Sequence, residues 1–337
     1  MTSRWSVIAT LSLGLLGLLA LPARAVGPVD WPQFRAGPTH PGADVPSVIT
    51  PANVSTLAPI WHAAIAGVTS SPAVVGDVVY AGSTDHNLYA FPAGTTCPSG
   101  PTCPPLWKAP TGGVIESSPA VAAGVVYVGS LDQALYAFDA LGNQGCSGVP
   151  RSCSPLWTAS TGGEIHSSPA VAGGRVYIGS DDDKLYAFDA SGITNCGGTP
   201  KVCAPLWTAF TGGDVFSSPA VSAGVVYVGS DDGKVHAFDA AGVTNCVGTP
   251  KTCAPLWTAT TGGPVQSSPA VVNGVVHVGS TDGKLYAFDA NGVTNWDSPR
   301  RADTRPARLA LAEGSPPWDD IAGSSRRSSS VTQWSWS

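Results

Sequence analysis

Charge is scarce in this sequence. Only 12% of its 337 residues are Asp, Glu, Lys or Arg, and methionine occurs once. Between residues 26 and 295, nine basic side chains face eighteen acidic ones. Such a surface lacks the electrostatic footprint for nucleic acid and does not favour anionic lipid. Beyond the N-terminus there is no long apolar run and no stretch of helical spacing, so amphipathic helices are not expected. GxSxG, HExxH and a Walker loop are absent, which removes the commonest hydrolase and nucleotide-binding signatures. No Cys-Cys pair occurs, and no Asp-x-Asp-x-Asp-Gly loop with a closing Glu.

The N-terminus is the exception to the missing apolar runs. Residues 5–21 carry no charge, follow Arg4 and precede Ala23-Arg24-Ala25, a small-x-small cleavage pattern. Residues 1–25 read as a secretory signal peptide. The run is short for a span of about 20 apolar residues. A secreted, periplasmic or cell-surface location is therefore expected, with no stable membrane span after cleavage.

Glycine (40), proline (30) and cysteine (8) are plentiful. The cysteines fall as four close pairs: Cys97/Cys103, Cys146/Cys153, Cys196/Cys203 and Cys246/Cys253. An even count in an exported chain argues for local disulfides. Each would contribute about 2–3 kcal/mol by closing a short loop. Zinc is the weaker reading, because zinc knuckles space their pairs more tightly and no His recurs beside these pairs. No metal site is expected.

The pairs belong to a repeat. Trp107, Trp157, Trp207 and Trp257 recur every fifty residues, and Trp61 begins one further unit. After Trp157 the unit reads TASTGGEIHSSPAVAGGRVYIGSDDDKLYAFDASG. PLWTAS, SSPAVA, RVYIGS and KLYAFDA read as four short strands joined by tight turns. A four-stranded unit of this length in tandem is a propeller blade. The expected fold is all-β: a propeller of four-stranded antiparallel blades with about five repeats. It is either a closed five-blade ring or an incomplete seven- or eight-blade one.

VYVGSDDGKVHAFDAAG, LWTA and the intervening SSPAV resemble the quinoprotein-type (PQQ-like) propeller repeat. WPQFRAGPTHPG at 31–42 resembles the lead-in segment of secreted members. The likeness covers about 30–295 and divides the chain into a lead-in at 26–56, repeats at 57–295 and a tail at 296–337. It implies that Trp61, Trp107, Trp157, Trp207 and Trp257 dock between blades, with Ala187, Asp189, Gly192 and Trp207 matching the docking motif. The cysteine loop then reads as an insertion at a blade-to-blade corner, its bridge stiffening a Gly/Pro/Thr loop with little apolar content of its own. The family name also implies pyrroloquinoline quinone with Ca²⁺. Without the Cys-Cys pair and long inter-blade insertions of the quinone enzymes, no cofactor is expected here.

At Trp296 the repeat demands Cys and fails. Residues 296–337 hold six Arg and no Lys, and they read as disordered or out-of-frame sequence.

Copies this close make their differences informative. The residue before each Ser-Ser-Pro-Ala-Val is Thr69, Glu116, His166, Phe216 or Gln266. Two positions earlier stand Gly67, Val114, Glu164, Asp214 and Pro264. On blades these positions would crowd one channel mouth, giving Glu116, Glu164, His166, Asp214, Phe216 and Gln266 as candidate ligand-binding residues. Drift at exposed turns is the alternative. Asp85, Asp132, Asp182, Asp232 and Asp282 sit in turns, where bonding to their own backbone is the ordinary explanation. No catalytic set emerges. Two readings follow: an exported, non-catalytic propeller that binds or scaffolds a protein or small molecule at its mouth, as the outer-membrane assembly propellers of the family do, or a truncated or degenerate PQQ-dependent dehydrogenase.

Overall fold

The computed structural model describes residues 33–41, 54–94, 97 and 102–293. The expected signal peptide and tail lie outside them, and the lead-in is described in part. Among the described residues the only helices are two three-residue 3₁₀ turns, Phe34–Ala36 and Val54–Thr56. Everything else with regular structure is strand.

One sheet shows the pattern. Ala170–Ala172, Arg175–Ser180, Lys184–Asp189 and Trp207–Phe210 pair antiparallel in that order. Gly173 and Gly174 turn the first pair at φ 57° and 72°, a region that favours glycine. Alternation of Val, Tyr and Ile then sends successive side chains to opposite faces, both of them buried. The same four-strand order is built from Ala73 to Pro110, from Ala120 to Ser160 and from Ala220 to Thr260. The fifth sheet has three strands, Ala270–Val272, Val275–Gly279 and Leu285–Asp289.

The blade boundary differs from the sequence reading. Each Trp strand was expected to open its own unit, but it closes the preceding sheet. Trp157 pairs with Ala137, and Trp207 with Ala187. Counting units by their first recognisable residue displaced the boundary by one strand.

Neighbouring blades share a core. Tyr177, Leu185, Ala187, Trp207 and Ala209 of the third sheet pack against Val215, Val221, Val226, Val228 and Phe238 of the fourth. Full burial of each such aliphatic or aromatic side chain contributes about 1.5–3 kcal/mol, and matching seams join the first blade to the second and the second to the third. Polar ties repeat across it. Tyr80, Tyr127, Tyr177 and Tyr227 donate their hydroxyls to the carbonyls of Ala140, Ala190, Ala240 and Ala290. Burial pushes the Tyr177 phenol up to about 12. Trp107, Trp157, Trp207 and Trp257 pack between successive blades, whereas Trp61 packs on Phe91 of the first blade. Trp107, Trp207 and Trp257 donate Nε1–H to Ala140, Ala240 and Ala290. Gly192 belongs to this contact with Trp157 rather than with Trp207. A Cβ there would come within 2.2 Å of the Trp157 ring.

The SSPAV motif has two jobs. Ser117, Ser167 and Ser217 accept from Gly129, Gly179 and Gly229 N–H within their own sheets. The next serine links blades: Ser71, Ser118, Ser168 and Ser218 N–H donate to Ser118, Ser168, Ser218 and Ser268 Oγ. This ladder leads from the first blade to the fifth.

All four cysteine pairs are bonded locally, as Cys97–Cys103, Cys146–Cys153, Cys196–Cys203 and Cys246–Cys253. Their loops do not sit at blade-to-blade corners. Each of the last three lies between the third and outer strands of its own sheet, and forms a hairpin that reaches back to the preceding blade. Cys196–Gly197 and Val202–Cys203 add two strands beside Trp157–Ser160, with Thr158 opposite Val202 in parallel register. The hairpins at 146–153 and 246–253 do the same for the first and third sheets, giving three six-stranded sheets.

The loops have little apolar content of their own, but one cysteine of each pair reaches a core. The second member of each pair, Cys103, Cys153, Cys203 and Cys253, is buried, while the first is half-buried. Cys103 packs with Tyr89 and Phe91, and Cys153 joins the core that holds Trp107 and Phe138. The reason is the parallel pairing, which lays the returning strand of the hairpin against the blade. A cystine sulfur carries no charge and is accepted there as a small apolar group. The staple thus holds a Gly/Pro-rich hairpin and plugs it into the blade's core. The hairpin in turn covers an edge strand that would otherwise be open.

The lead-in segment Gln33–Pro41 ties together the inner edges of three blades. Val171 N–H donates to Gln33 Oε1, Val221 N–H to the Pro38 carbonyl and Val271 N–H to the Thr39 carbonyl. His40 is buried with Nδ1 2.8 Å from the Pro269 carbonyl and its ring edge-on to Phe34.

Candidate functional site

The variable positions lie on the connector between an outer strand and the next inner strand. In the third blade the connector Thr161–His166 is wedged against the turn Asp181–Asp183. A Cβ on Gly163 would come within 2.7 Å of the Asp181 backbone, so only glycine lets the two segments approach. Asp181 N–H donates to the Glu164 carbonyl at 3.0 Å, which fixes the pair. Glu164, His166 and Asp181 thereby face one another. His166 Nε2 is 3.5 Å from Glu164 Oε2 and 3.4 Å from Asp181 Oδ2.

Neighbouring blades complete the row. His166 Nδ1 lies 2.9 Å from Glu116 Oε2 of the second blade. On its other side the His166 ring meets Phe216 of the fourth blade, centroids 5.0 Å apart and tilted by 47°. Gln266 of the fifth blade donates to Asp231 Oδ2 at 3.2 Å. Asp231 N–H donates to the Asp214 carbonyl, repeating the third blade's arrangement. The structure therefore joins Glu116, Glu164, His166 and Phe216 directly. It sets Asp214 within electrostatic reach of Asp181 and ties Gln266 to that group through Asp231. Glu116 and Gln266 are exposed, while His166, Asp214 and Phe216 are half-buried.

The electrostatics are one-sided. Burial, opposed by His166 and reinforced by Asp214, Glu164 and Asp231, pushes the Asp181 carboxyl up to about 6. Asp214 is also raised, by desolvation and then by Asp183 and Asp231. The largest charge effects on these two groups come from His166 and from other carboxylates. Asp181 Oδ1 and Asp231 Oδ1 are buried and lack a hydrogen-bond partner among the described residues.

Asp181 and Asp231 escaped the sequence reading, which took only the turn position that carries Asp in all five units. A signal was available: the five units carry Thr84, Leu131, Asp181, Asp231 and Thr281 there, a variable position like those before SSPAV. The Asp common to all five turns keeps the expected turn role. Asn87, Ala134, Lys234 and Lys284 N–H donate to Asp85, Asp132, Asp232 and Asp282 Oδ1. The opposite oxygen accepts from Tyr89, Tyr136, Tyr186 and Tyr286, with His236 standing in for the tyrosine at Asp232.

A family profile described as outer membrane protein assembly factor BamB matches residues 58–144, 150–241 and 204–322. Among solved structures the chain is similar to BamB from Moraxella catarrhalis, with 19% identity, a TM-score of 0.50, and 67% of this chain and 60% of that one covered. It is also similar to a quinohemoprotein alcohol dehydrogenase from Pseudomonas putida HK5, with 18% identity, a TM-score of 0.57, and coverage of 78% and 47%. The chain thus spans about half to three-fifths of these structures' lengths. No curated protein matches it. With three profile matches over most of its length, and a repeat that folds into successive four-stranded blades, the chain belongs to the PQQ-like, BamB-type propeller family.

Proposed function

We propose that this is an exported, non-catalytic propeller that binds or scaffolds a protein or small ligand at the mouth formed by Glu116, Glu164, His166, Asp214, Phe216 and Gln266. One observation carries the reading. On a scaffold copied almost residue for residue, the positions that differ converge, so that His166 touches Glu116 on one side and Phe216 on the other. A polar pair beside a half-exposed ring offers hydrogen bonds and stacking to one occupant. Export, to a secreted, periplasmic or cell-surface location, is supported by the four disulfides and the leader sequence. No helix among the described residues is long and apolar enough to cross a membrane. The test is photocrosslinking in the native host, with the reactive side chain placed at Phe216 or, as control, at the exposed Val149 of a disulfide hairpin. Crosslinked partner at 216 and none at 149 supports the mouth; the reverse pattern moves the site to the blade edges.

The second reading, a truncated or degenerate PQQ-dependent dehydrogenase, draws on the likeness to the alcohol dehydrogenase. The mouth does not fit the quinone. PQQ is a polycarboxylate, and the groups that meet His166 are themselves the carboxylates of Glu116, Glu164 and Asp181. Purified protein mixed with PQQ and Ca²⁺ is expected to show neither a bound-quinone absorbance nor alcohol-dependent dye reduction. Either signal would favour the dehydrogenase.

A further inference from the structure

We propose that Glu164, His166 and Asp181 bind a single first-row divalent cation, for which Zn²⁺ is the appropriate probe, with Glu116 holding the imidazole in place. The argument begins with the tautomer. Glu116 as a carboxylate can only accept, so the 2.9 Å contact places a hydrogen on His166 Nδ1. In the neutral ring Nε2 then carries the lone pair, and it faces two carboxylate oxygens at 3.5 and 3.4 Å. Neither distance is a hydrogen bond of ordinary length. Three acceptors facing one another call for a positive charge between them, either a proton on Nε2 or a bound cation.

The spacing suits a metal. With bonds of about 2.0–2.2 Å to nitrogen and oxygen, the edge of a coordination tetrahedron is about 3.3–3.6 Å. Both imidazole-to-carboxylate distances fall within that range. The three candidate ligand atoms all lie within 4.8 Å of one another. A second observation is independent of this spacing: the other Asp181 oxygen, Oδ1, is buried with no partner among the described residues. A desolvated carboxylate oxygen is costly unless its charge is neutralised nearby.

The Glu116–His166 contact has the form of the carboxylate–imidazole pair that orients a metal-binding histidine. One imidazole with carboxylates suits zinc and its first-row neighbours better than calcium, which prefers an all-oxygen set. Glu164 is exposed, so a fourth position stays open to water or to a donor from an occupant. Phe216 flanks the ring without offering a ligand atom.

This inference rests on the reading of the mouth as a binding site. Its test uses metal alone, so a missing partner and a missing metal give different results. Tag-free, full-length protein stripped with EDTA is titrated with ZnCl₂ by calorimetry at pH 7, and with CoCl₂ followed by visible absorbance. One equivalent of Zn²⁺ should bind with a Kd of about 10 µM or tighter. His166→Ala and Asp181→Asn should each abolish it, and Glu116→Gln should weaken it by about 10–100-fold as a positioning change does. Val149→Ala, on an exposed disulfide hairpin outside the mouth, should leave it within about twofold, because no ligand atom is lost. Co²⁺ should give a visible band that His166→Ala removes. Should His166→Ala fold poorly, Glu164→Gln and Asp181→Asn carry the same comparison. The proposal is overturned by a Kd weaker than about 1 mM, by zinc binding that survives His166→Ala, or by an Nε2 proton that zinc does not displace at pH 7.

Discussion

The third and fourth blades are built from nearly the same words and end differently. The third sheet carries the 246–253 hairpin beside Trp207–Phe210, whereas the fourth ends at Trp257–Thr260 with no hairpin among the described residues. Trp207 is 1% exposed, and alternate residues of its strand are buried. Trp257 and Ala259 of the matching strand are only half-buried. The decline continues in the fifth blade, where Leu285 is 78% exposed although its counterparts Leu135 and Leu185 are at 0%. A blade is thus finished by the one that follows it: the next blade supplies the face, and the loop within it supplies the edge.

The largest expected effect breaks the comparison directly. Trp207→Ala should cost about 3–5 kcal/mol, as large core truncations do. Trp257→Ala, at a half-buried site, should cost less than half of that. Urea denaturation of the two variants measures the difference. Equal losses would mean that the hairpin and following blade add no packing at Trp207.

A second effect comes from the lead-in segment, which fastens the fifth blade at its inner edge. Burial, partly offset by the Pro269 carbonyl and joined by repulsion from Arg35, lowers the His40 pKa to about 4. The folded state therefore holds His40 neutral while the unfolded chain takes up a proton below about 6.5. Stability should fall as pH drops from about 6.5 to about 4, by roughly 3 kcal/mol from this group. His40→Asn should flatten that part of the pH profile, measured by chemical denaturation. A profile unchanged by the substitution would remove His40 from the account.

The staples come next. Cys246→Ser with Cys253→Ser should cost about 2–3 kcal/mol and loosen the Trp207 strand of the preceding blade. Hydrogen exchange should speed up at Thr208, whose N–H donates to the Lys251 carbonyl. Protection lost only within 246–253 would show that the hairpin closes itself and covers nothing.

Much of this was legible before any coordinates. Period, strand content, cysteine pairing and inter-blade tryptophans follow from local pattern, because each is repeated and each repeat reports the same physics. The boundary of a blade was not legible, since antiparallel pairing of Trp207 with Ala187 spans an inserted loop that adjacency in sequence hides. The hairpin's destination was hidden for the same reason: Thr158 meets Val202, forty-four residues on, in parallel register. With the destination hidden, so was the burial of Cys103, Cys153, Cys203 and Cys253, which depends on what the hairpin lies against. At the proposed mouth, comparing units singled out Glu116, His166 and Phe216, which the structure places in contact. It missed Asp181, whose neighbour Asp182 supplied a sufficient reason for the acidic turn.

The smallest effect tests the comparison at one residue. In four of the five units the third strand carries a tyrosine, Tyr89, Tyr136, Tyr186 or Tyr286, whose hydroxyl donates to the turn aspartate. In the first and last of the Gly-Gly connectors this hydroxyl also accepts from Gly112 and Gly262 N–H. The fourth blade has His236 instead. Its Nε2 contacts Asp232 at about 3.1 Å, but its buried Nδ1 has no partner among the described residues. Burial, only partly offset by Asp232, lowers its pKa. The connector responds: Gly212 sits at φ +107°, and a Cβ there would stand 3.6 Å from Asp232 instead of the 2.4 Å at Gly112 and Gly162. His236→Tyr should restore the hydroxyl link and remove an orphaned buried nitrogen, raising stability by about 1 kcal/mol. Tyr186→His should cost a similar amount in the third blade, where the partners are already in place. Denaturation midpoints and exchange at Gly212 N–H measure both. A His236→Tyr variant that is less stable than the parent, with Gly212 exchange unchanged, would show that the fourth connector is shaped by Asp214 and Phe216 and not by the missing hydroxyl.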